Sequence, residues 1–276
     1  KTIRLRGVLS QGLLVPADLF EKEIAEFQKG DNTLSLQEIL GVIKYEPPED
    51  NFGGPNRIKN TPGDTRPFPV FIPKTDQERI QNFVYEYNAI VDKFNTNDPS
   101  QFEYFEVTYK LDGSSITMYS AFNKLCVCSR NLEINMPYDW SDWPTRESHF
   151  IKAAIDSGIM FKLAMHYSAT GRSIALQGEL CGPGIQSNFE GLTKHEIFIY
   201  DVYDIDAGQY MLPDERREFL VDLGIQQVPV HSYNIWLPTP IEAILEMADG
   251  PSGLNGQFRE GLVFKSMERD FSFKAI

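Results

Sequence analysis

The 276-residue sequence predicts an α+β fold in which helices flank antiparallel sheets. Residues 102–109, 116–122 and 124–129 alternate apolar and polar side chains, as strands with one buried face do. Further strand-like segments follow in groups, interrupted by helices, instead of each alternating with a helix. These further strands are predicted at 173–180, 196–205, 261–266 and 271–276.

Start and stop signals predict the helices. The run Thr75-Asp76-Gln77-Glu78 fits a capping box before an amphipathic stretch that ends near Phe94. Pro213 and Pro240 open two later helices, which Gly224 and Gly250 close. A further helix is predicted from about Arg146 to Tyr167. Residues 46–68 are rich in Pro, Gly, Asn and Asp, which predicts a long loop.

Composition limits the possible functions. Apolar residues make up 42% of the chain, and neither a membrane-spanning run nor a signal-peptide pattern is visible. The net charge of −13 argues against a protein that coats nucleic acid, but it leaves room for an enzyme that engages a nucleic-acid end locally. The three cysteines are too few for a disulfide framework. We therefore expect an intracellular setting, cytoplasmic or nuclear (or nucleoid), and no secretion.

The ends of the sequence also carry an expectation. It begins at Lys1 without methionine and stops at Ile276 within an apolar, strand-like run. Natural domain ends are usually polar and frayed. We expect the chain to be a piece of a longer protein.

The segment Lys110-Leu111-Asp112-Gly113-Ser114-Ser115 places an amine at a predicted strand end beside a carboxylate. A lysine acts as a nucleophile only when it is deprotonated, so burial or a nearby cation must lower its pKa. Gly113 would let a phosphate approach the backbone. Taken alone, the tetrapeptide Lys110-Leu111-Asp112-Gly113 is more often an ordinary strand end than a catalytic motif.

Other segments follow in a specific order. Ser129-Arg130-Asn131 comes twenty residues after Lys110. The later segments are Gly178-Glu179-Leu180, Phe198-Ile199-Tyr200-Asp201, Glu260 to Lys265 (EGLVFK) and Ser272 to Ile276 (SFKAI). In this order they resemble the collinear motifs of the covalent nucleotidyltransferases, which comprise DNA ligases, RNA ligases and mRNA capping enzymes.

Three earlier segments narrow the resemblance to one type of ATP-dependent RNA ligase. They are Leu5 to Gly12 (LRGVLSQG), Lys44 to Pro48 (KYEPP) and Phe71 to Arg79 (FIPKTDQER). In that type, an OB-fold module precedes the adenylyltransferase module. The resemblance therefore implies that residues 1–276 are an adenylyltransferase domain with the ligase adenylation fold, and that an OB module lies upstream, outside this sequence.

The resemblance also implies roles for individual residues. Lys110 would become covalently attached to AMP taken from ATP. The positive charges near the phosphates would come from Lys265, Lys274 and Arg130. Adenine would lie between Tyr200, or Phe198 on the same strand face, and Val263. Gln186 would serve the ligation steps, and Arg79 would add a contact in the active site.

Asp112, Glu179 and Glu260 would hold Mg²⁺ or Mn²⁺, in part through water, because hard divalent ions prefer oxygen ligands. The RNA partner would carry a 5′-phosphate and a 3′-hydroxyl at a nick or break, as in RNA repair. We expect a monomer that does not bind a membrane.

Two other functions stay open. One is a DNA ligase or a capping-type guanylyltransferase. The other is a non-catalytic nucleic-acid-binding protein that keeps the fold. Each site residue also has an ordinary structural interpretation, such as a solvated carboxylate, an exposed strand lysine or a core aromatic. The functional interpretation rests on order and spacing taken together.

Overall fold

The computed structural model describes residues 3–5, 8–10, 20–28, 65–75, 77–94, 96, 98–134 and 148–276. The chain divides into two compact units, residues 1–57 and residues 58–276. In the first unit, strands β1 (Ile3–Leu5) and β2 (Val8–Ser10) pair antiparallel, and helix α1 spans Glu21–Gln28. Every predicted site residue lies in the second unit.

The second unit contains two antiparallel sheets. The strands are β3 (Thr65–Pro67), β4 (Phe105–Lys110), β5 (Ser114–Ala121), β6 (Lys124–Cys128), β7 (Leu132–Ile134), β8 (Ile174–Cys181), β9 (Glu196–Asp204), β10 (Gln209–Tyr210), β11 (Val230–Ile235), β12 (Gly261–Ser266) and β13 (Ser272–Ala275). The larger sheet has the order β10-β9-β8-β5-β6-β7-β3, and the smaller has the order β11-β4-β12-β13. All described strand pairs within them are antiparallel. The predicted α+β class is confirmed.

Helices cover one face of each sheet. They are α2 (Val84–Phe94), α3 (His149–Asp156), α4 (Ile159–Thr170), α5 (Pro213–Asp222) and α6 (Ile241–Ala248). Apolar residues of α3, α4 and α5 pack with the large sheet, and those of α2 and α6 pack with the small sheet. The faces of the two sheets that the helices leave uncovered are connected by ion pairs and a smaller apolar cluster. We call this charged region between the sheets the inner layer.

Two predicted helices differ from the structure. Residues 78–79 are not helical, because the Lys274 amide donates to the Glu78 carbonyl and holds this segment extended beside β13. A short 3₁₀ turn at Ile80–Asn82 follows, and the helix starts only at Val84. The predicted helix at 146–167 is two helices, since Gly158 has a φ of 73° and breaks the run.

The predictions for the cysteines, the long loop and the strands can also be compared with the structure. Cys126 and Cys128 are buried in β6, within the strand predicted at 124–129, and their thiols and that of Cys181 are free. The end of the predicted loop 46–68 forms β3, while residues 46–64 lie outside the described residues. Strand β11 was not predicted, although it forms one edge of the small sheet. No helix in the described part of the chain is long and apolar enough to cross a membrane.

Candidate active site

The turn that carries Lys110 joins the two sheets. Lys110 ends β4 of the small sheet, and Ser114 begins β5 of the large sheet. Leu111 is buried between them. A Cβ atom at Gly113 would lie 2.5 Å from the Leu180 carbonyl oxygen and 2.8 Å from Cys181 Sγ. Only glycine fits here, so the turn stays close to β8.

Lys110 faces Glu260 across the small sheet. Gly261 pairs with Lys110 in the β4–β12 register, which places the preceding Glu260 beside the amine. Lys110 Nζ donates to Glu260 Oε1 at 2.5 Å. The side chains keep 27% and 36% of their surface exposed, so the amine remains accessible to a substrate.

Glu179 completes the surroundings of Lys110 from the large sheet. It lies in β8 opposite Ser115, and the backbone of Gly113 lies against its side chain. Burial raises the pKa of Glu179 to about 8, with further raising by the charges of Glu260 and Asp112 and an opposing effect of Lys110. The predicted nucleophile and the three predicted metal ligands therefore act on one another electrostatically.

The donor set around Lys110 fits a hard divalent cation. Asp112, Glu179 and Glu260 offer only carboxylate oxygens, and their mutual repulsion would be relieved by added positive charge. Ser187 Oγ donates to Asp112 Oδ2 at 3.2 Å and orients that carboxylate. Within the described ranges, no group of three or more His, Cys, Asp or Glu side chains converges closely enough to hold an ion unaided. Water or phosphate oxygens would complete the ligand set.

Lys265 lies deeper between the sheets than Lys110. It is four residues beyond Gly261 on β12, or about 13 Å along a strand. Its amine donates to the Tyr200 carbonyl at 2.7 Å and pairs with the Asp201 carboxylate. Burial lowers the pKa of Lys265, and Asp201 opposes that change. The structure thus places this predicted phosphate ligand in a buried ion pair.

Lys274 and Val263 share the inner face of the small sheet with Lys110. Val263 pairs with Thr108 on one side and with Lys274 on the other. Cross-strand partners project to the same face, and Thr108 and Lys110 are two residues apart on β4. Arg79 is brought beside Lys274 by a backbone bridge, and its side chain is exposed.

The two candidate aromatic residues differ in burial. Phe198 is buried against Leu111, Cys181 and Val228. Tyr200 is only partly buried, and its hydroxyl lies 3.0 Å from Thr75 Oγ1 and 3.4 Å from Ser115 Oγ. An irregularity in the β8–β9 register near Gly178 accommodates Tyr200 as an extra residue. Tyr200 is the better placed of the two to stack on a base.

Arg130 and Gln186 lie on exposed connections. Arg130 follows β6 in the turn that leads to β7. Gln186 follows β8 with a φ of 44°, one residue before the Ser187 that bonds to Asp112. The loop of Gln186 therefore reaches the Lys110 turn.

Sequence reasoning missed a buried network behind the site. Arg216 of α5 is almost fully buried; it pairs with Glu106 and donates to the Tyr200 carbonyl at 3.0 Å. Lys265 donates to the same carbonyl. Arg217 also pairs with Glu106. The charge of Glu106 on the inner face of β4 is a weak signal for a buried ion pair. No local pattern identifies its partner Arg216, which is more than 100 residues away in the sequence.

Comparison with known proteins agrees with the geometry. The model of the RNA ligase family matches residues 103–276. A solved Naegleria gruberi RNA ligase mutant with AMP and Mn is 36% identical, with a TM-score of 0.72 over 100% of this chain and 74% of that chain. A mutant of that ligase with ATP and Mn is 38% identical, with a TM-score of 0.70 over 100% and 74%. The ligase with PPi is 38% identical, with a TM-score of 0.68 over 100% and 73%. No curated protein matches the chain.

Proposed function

The chain belongs to the RNA ligase family of covalent nucleotidyltransferases, and from that premise we propose that Lys110 carries AMP from ATP to RNA. The protein is an ATP-dependent RNA ligase whose cofactors are ATP and a divalent metal ion. The observation that carries the proposal is the partly exposed Lys110 side chain, paired with Glu260 and flanked by Glu179 and Asp112.

The first step is an in-line displacement at the α-phosphorus of ATP. Lys110 Nζ passes a proton to a neighbouring carboxylate, for which Glu260 Oε1 at 2.5 Å is the nearest acceptor. The nitrogen lone pair then forms the N–P bond, and the bond from α-phosphorus to the bridging oxygen breaks as pyrophosphate leaves. Lys274, on the same face as Lys110, would stabilise the additional negative charge.

The divalent ion would be Mg²⁺ or Mn²⁺, held by Asp112, Glu179 and Glu260. When bound, it supplies positive charge that lowers the pKa of a neighbouring amine and neutralises phosphate oxygens. The protein residues around it orient the amine. Tyr200 and Val263 would hold the adenine between the two sheets.

Sealing takes two further steps. An oxygen of an RNA 5′-phosphate attacks the phosphorus of the Lys110 adduct, which breaks the N–P bond and returns the amine. The RNA 3′-hydroxyl then attacks the 5′-phosphate and releases AMP, with loss of the hydroxyl proton. Arg130, Arg79 and Gln186, all exposed, are the proposed contacts for these steps.

The biological setting is part of the same proposal. We place residues 1–276 in one adenylyltransferase module that works as a monomer with an upstream OB-fold module. A reducing intracellular compartment suits the three free cysteines. RNA repair is the proposed purpose, because the reaction joins broken strands.

The test is label transfer from α-³²P-ATP, with GTP in a parallel arm. The wild-type protein should gain about 329 Da, the mass of an AMP adduct on a lysine nucleophile. Lys110→Met should abolish the adduct, because it removes the nitrogen. Lys124→Met, at an exposed strand lysine, is the matched control and should label normally. A persistent adduct in Lys110→Met would refute the assignment, and preferential labelling by GTP would favour guanylyl transfer. Nicks with RNA or DNA on the 3′-hydroxyl side then identify the substrate.

A further inference from the structure

Two loops border the Lys110 site, residues 182–195 between β8 and β9 and residues 249–260 before β12. The first loop supplies Ser187, which donates to Asp112 at 3.2 Å. The second ends in Glu260, which pairs with Lys110 at 2.5 Å. A substrate that reaches Lys110 must pass close to both loops.

The loops are fastened to each other by side-chain hydrogen bonds. Ser252 Oγ donates to the buried Glu190 carboxylate at 2.7 Å. Asn255 Nδ2 donates to the Phe189 carbonyl at 2.8 Å. The two loops therefore form one surface, which we call the loop pair.

Each loop exposes one phenylalanine between anchored neighbours. Phe258 keeps 78% of its surface exposed, and Phe189 keeps 37%. Asn188 exchanges hydrogen bonds with Leu192 at 3.0 and 3.1 Å, and Glu190 is held by Ser252. Beside Phe258, Arg259 donates to the carbonyls of helix α6 and its end, those of Met247, Ala248 and Asp249.

The anchored loops keep most of Phe258 and more than a third of Phe189 in contact with water, although burying an aromatic side chain is favourable. A ligand that covers these rings would therefore gain the free energy of burying them. The loop pair lies beside the nucleophile of a ligase, and the chain has a net charge of −13. General attraction to phosphates is therefore weak, and contacts to the faces of bases are the better source of RNA affinity.

We propose that Phe258 and Phe189 form a stacking platform for the bases next to the RNA 5′-phosphate. The inference rests on the proposed function, because it takes the RNA end as the occupant. Stacking on an aromatic ring contributes about 1–3 kcal/mol per base and tolerates any sequence. The platform would hold the RNA end while its phosphate reaches the adenylylated Lys110.

The experiment separates RNA binding from reaction with ATP. Fluorescent, 5′-phosphorylated RNA is titrated with Phe258→Ala, Phe189→Ala and the double variant, and Lys110 labelling by ATP is measured in parallel. Each single substitution should raise the RNA dissociation constant about 5–150-fold. Labelling should stay within about twofold of wild type, because neither ring belongs to the proposed ATP site.

Three controls sharpen the test. Phe161→Ala removes an aromatic side chain with 70% of its surface exposed from α4 and should leave RNA binding unchanged. Phe258→Trp should retain binding, because it keeps an aromatic face. Phe258→Leu should lose it, because apolar bulk alone cannot stack. The loss in Phe258→Ala should persist as salt rises, unlike a loss of phosphate contacts.

The outcomes are distinguishable. Unchanged RNA dissociation constants in the folded double variant, or equal binding by Phe258→Leu and wild type, would overturn the platform. Because RNA binding is measured directly, the platform can be judged even when the ATP reaction fails. Absence of an AMP adduct in the wild-type protein would instead contradict the proposed function.

Discussion

At the Lys110 end of the inner layer the charged groups are partly exposed, whereas around Lys265 they are buried and paired. The first region, the reactive end, comprises Lys110, Asp112, Glu179 and Glu260. Its three carboxylates share one neighbouring amine. The second, the buried end, comprises Glu106, Asp201, Arg216 and Lys265, and each of its charges has an opposite charge in contact.

The difference separates two uses of charge. At the reactive end, carboxylates outnumber cations, which leaves room for a metal ion and phosphates to enter. At the buried end, removing one partner would leave an uncompensated charge in the interior, which is costly. The buried end therefore stabilises the positions of β4, β9 and α5, and the reactive end carries the proposed chemistry.

The largest expected change in stability comes from breaking the buried end. Arg216→Met should lower the free energy of unfolding by about 3 kcal/mol, because it leaves Glu106 buried with only Arg217 as a partner. Urea denaturation would measure the loss. Lys110→Met should cost less than about 1 kcal/mol, because that pair is partly exposed.

A double substitution sharpens this comparison. Glu106→Leu combined with Arg216→Met removes both members of the buried pair, so it should recover part of the loss. If Arg216→Met unfolds at the same urea concentration as wild type, the buried end does not stabilise the two sheets.

A smaller effect should follow from pH at the reactive end. Burial raises the pKa of Glu179 to about 8, above its value of 4.5 in an unfolded chain. Its contribution to stability is therefore fully present below pH 4.5 and is lost as pH rises through 8. In metal-free protein, Glu179→Gln should be more stable than wild type by about 1 kcal/mol near pH 5, and the difference in unfolding free energy should grow as pH rises towards 8.

Thermal unfolding at several pH values, with EDTA present, would check the direction of this change in stability. Glu246→Gln, at an exposed carboxylate on α6, is the matched control for the change in net charge. A stability difference between Glu179→Gln and wild type that stays constant from pH 5 to 8 would show that Glu179 is ionised throughout.

The two ends also differ in how well the sequence predicts them. Motif order identified all four residues of the reactive end, and they meet because each lies at or near a strand end. The same motifs assigned Lys265 to phosphate, but its structural partner Asp201 is set by how the two sheets pack. Arg216 was missed because its contacts depend on tertiary structure alone.

Local backbone structure was predictable in part. Alternation located most strands to within a few residues, but it could not show the β8–β9 irregularity that accommodates Tyr200. The capping box before Val84 failed because pairing with β13 outweighs local helix preference at residues 78–79. Tertiary contacts therefore account for the main differences.

The smallest predicted effect concerns Tyr200, which contacts both regions. Its hydroxyl bonds to Thr75 and lies near Ser115, the cross-strand partner of Glu179, while its carbonyl accepts from Lys265 and Arg216. Tyr200→Phe should cost about 1 kcal/mol in unfolding free energy, the usual value of one hydrogen bond. Its KM for ATP should change less than about threefold, because the ring that would stack on adenine remains. Initial rates of Lys110 labelling at varied ATP would measure this. A tenfold rise in KM with unchanged stability would mean that the hydroxyl binds the nucleotide instead of joining the two ends.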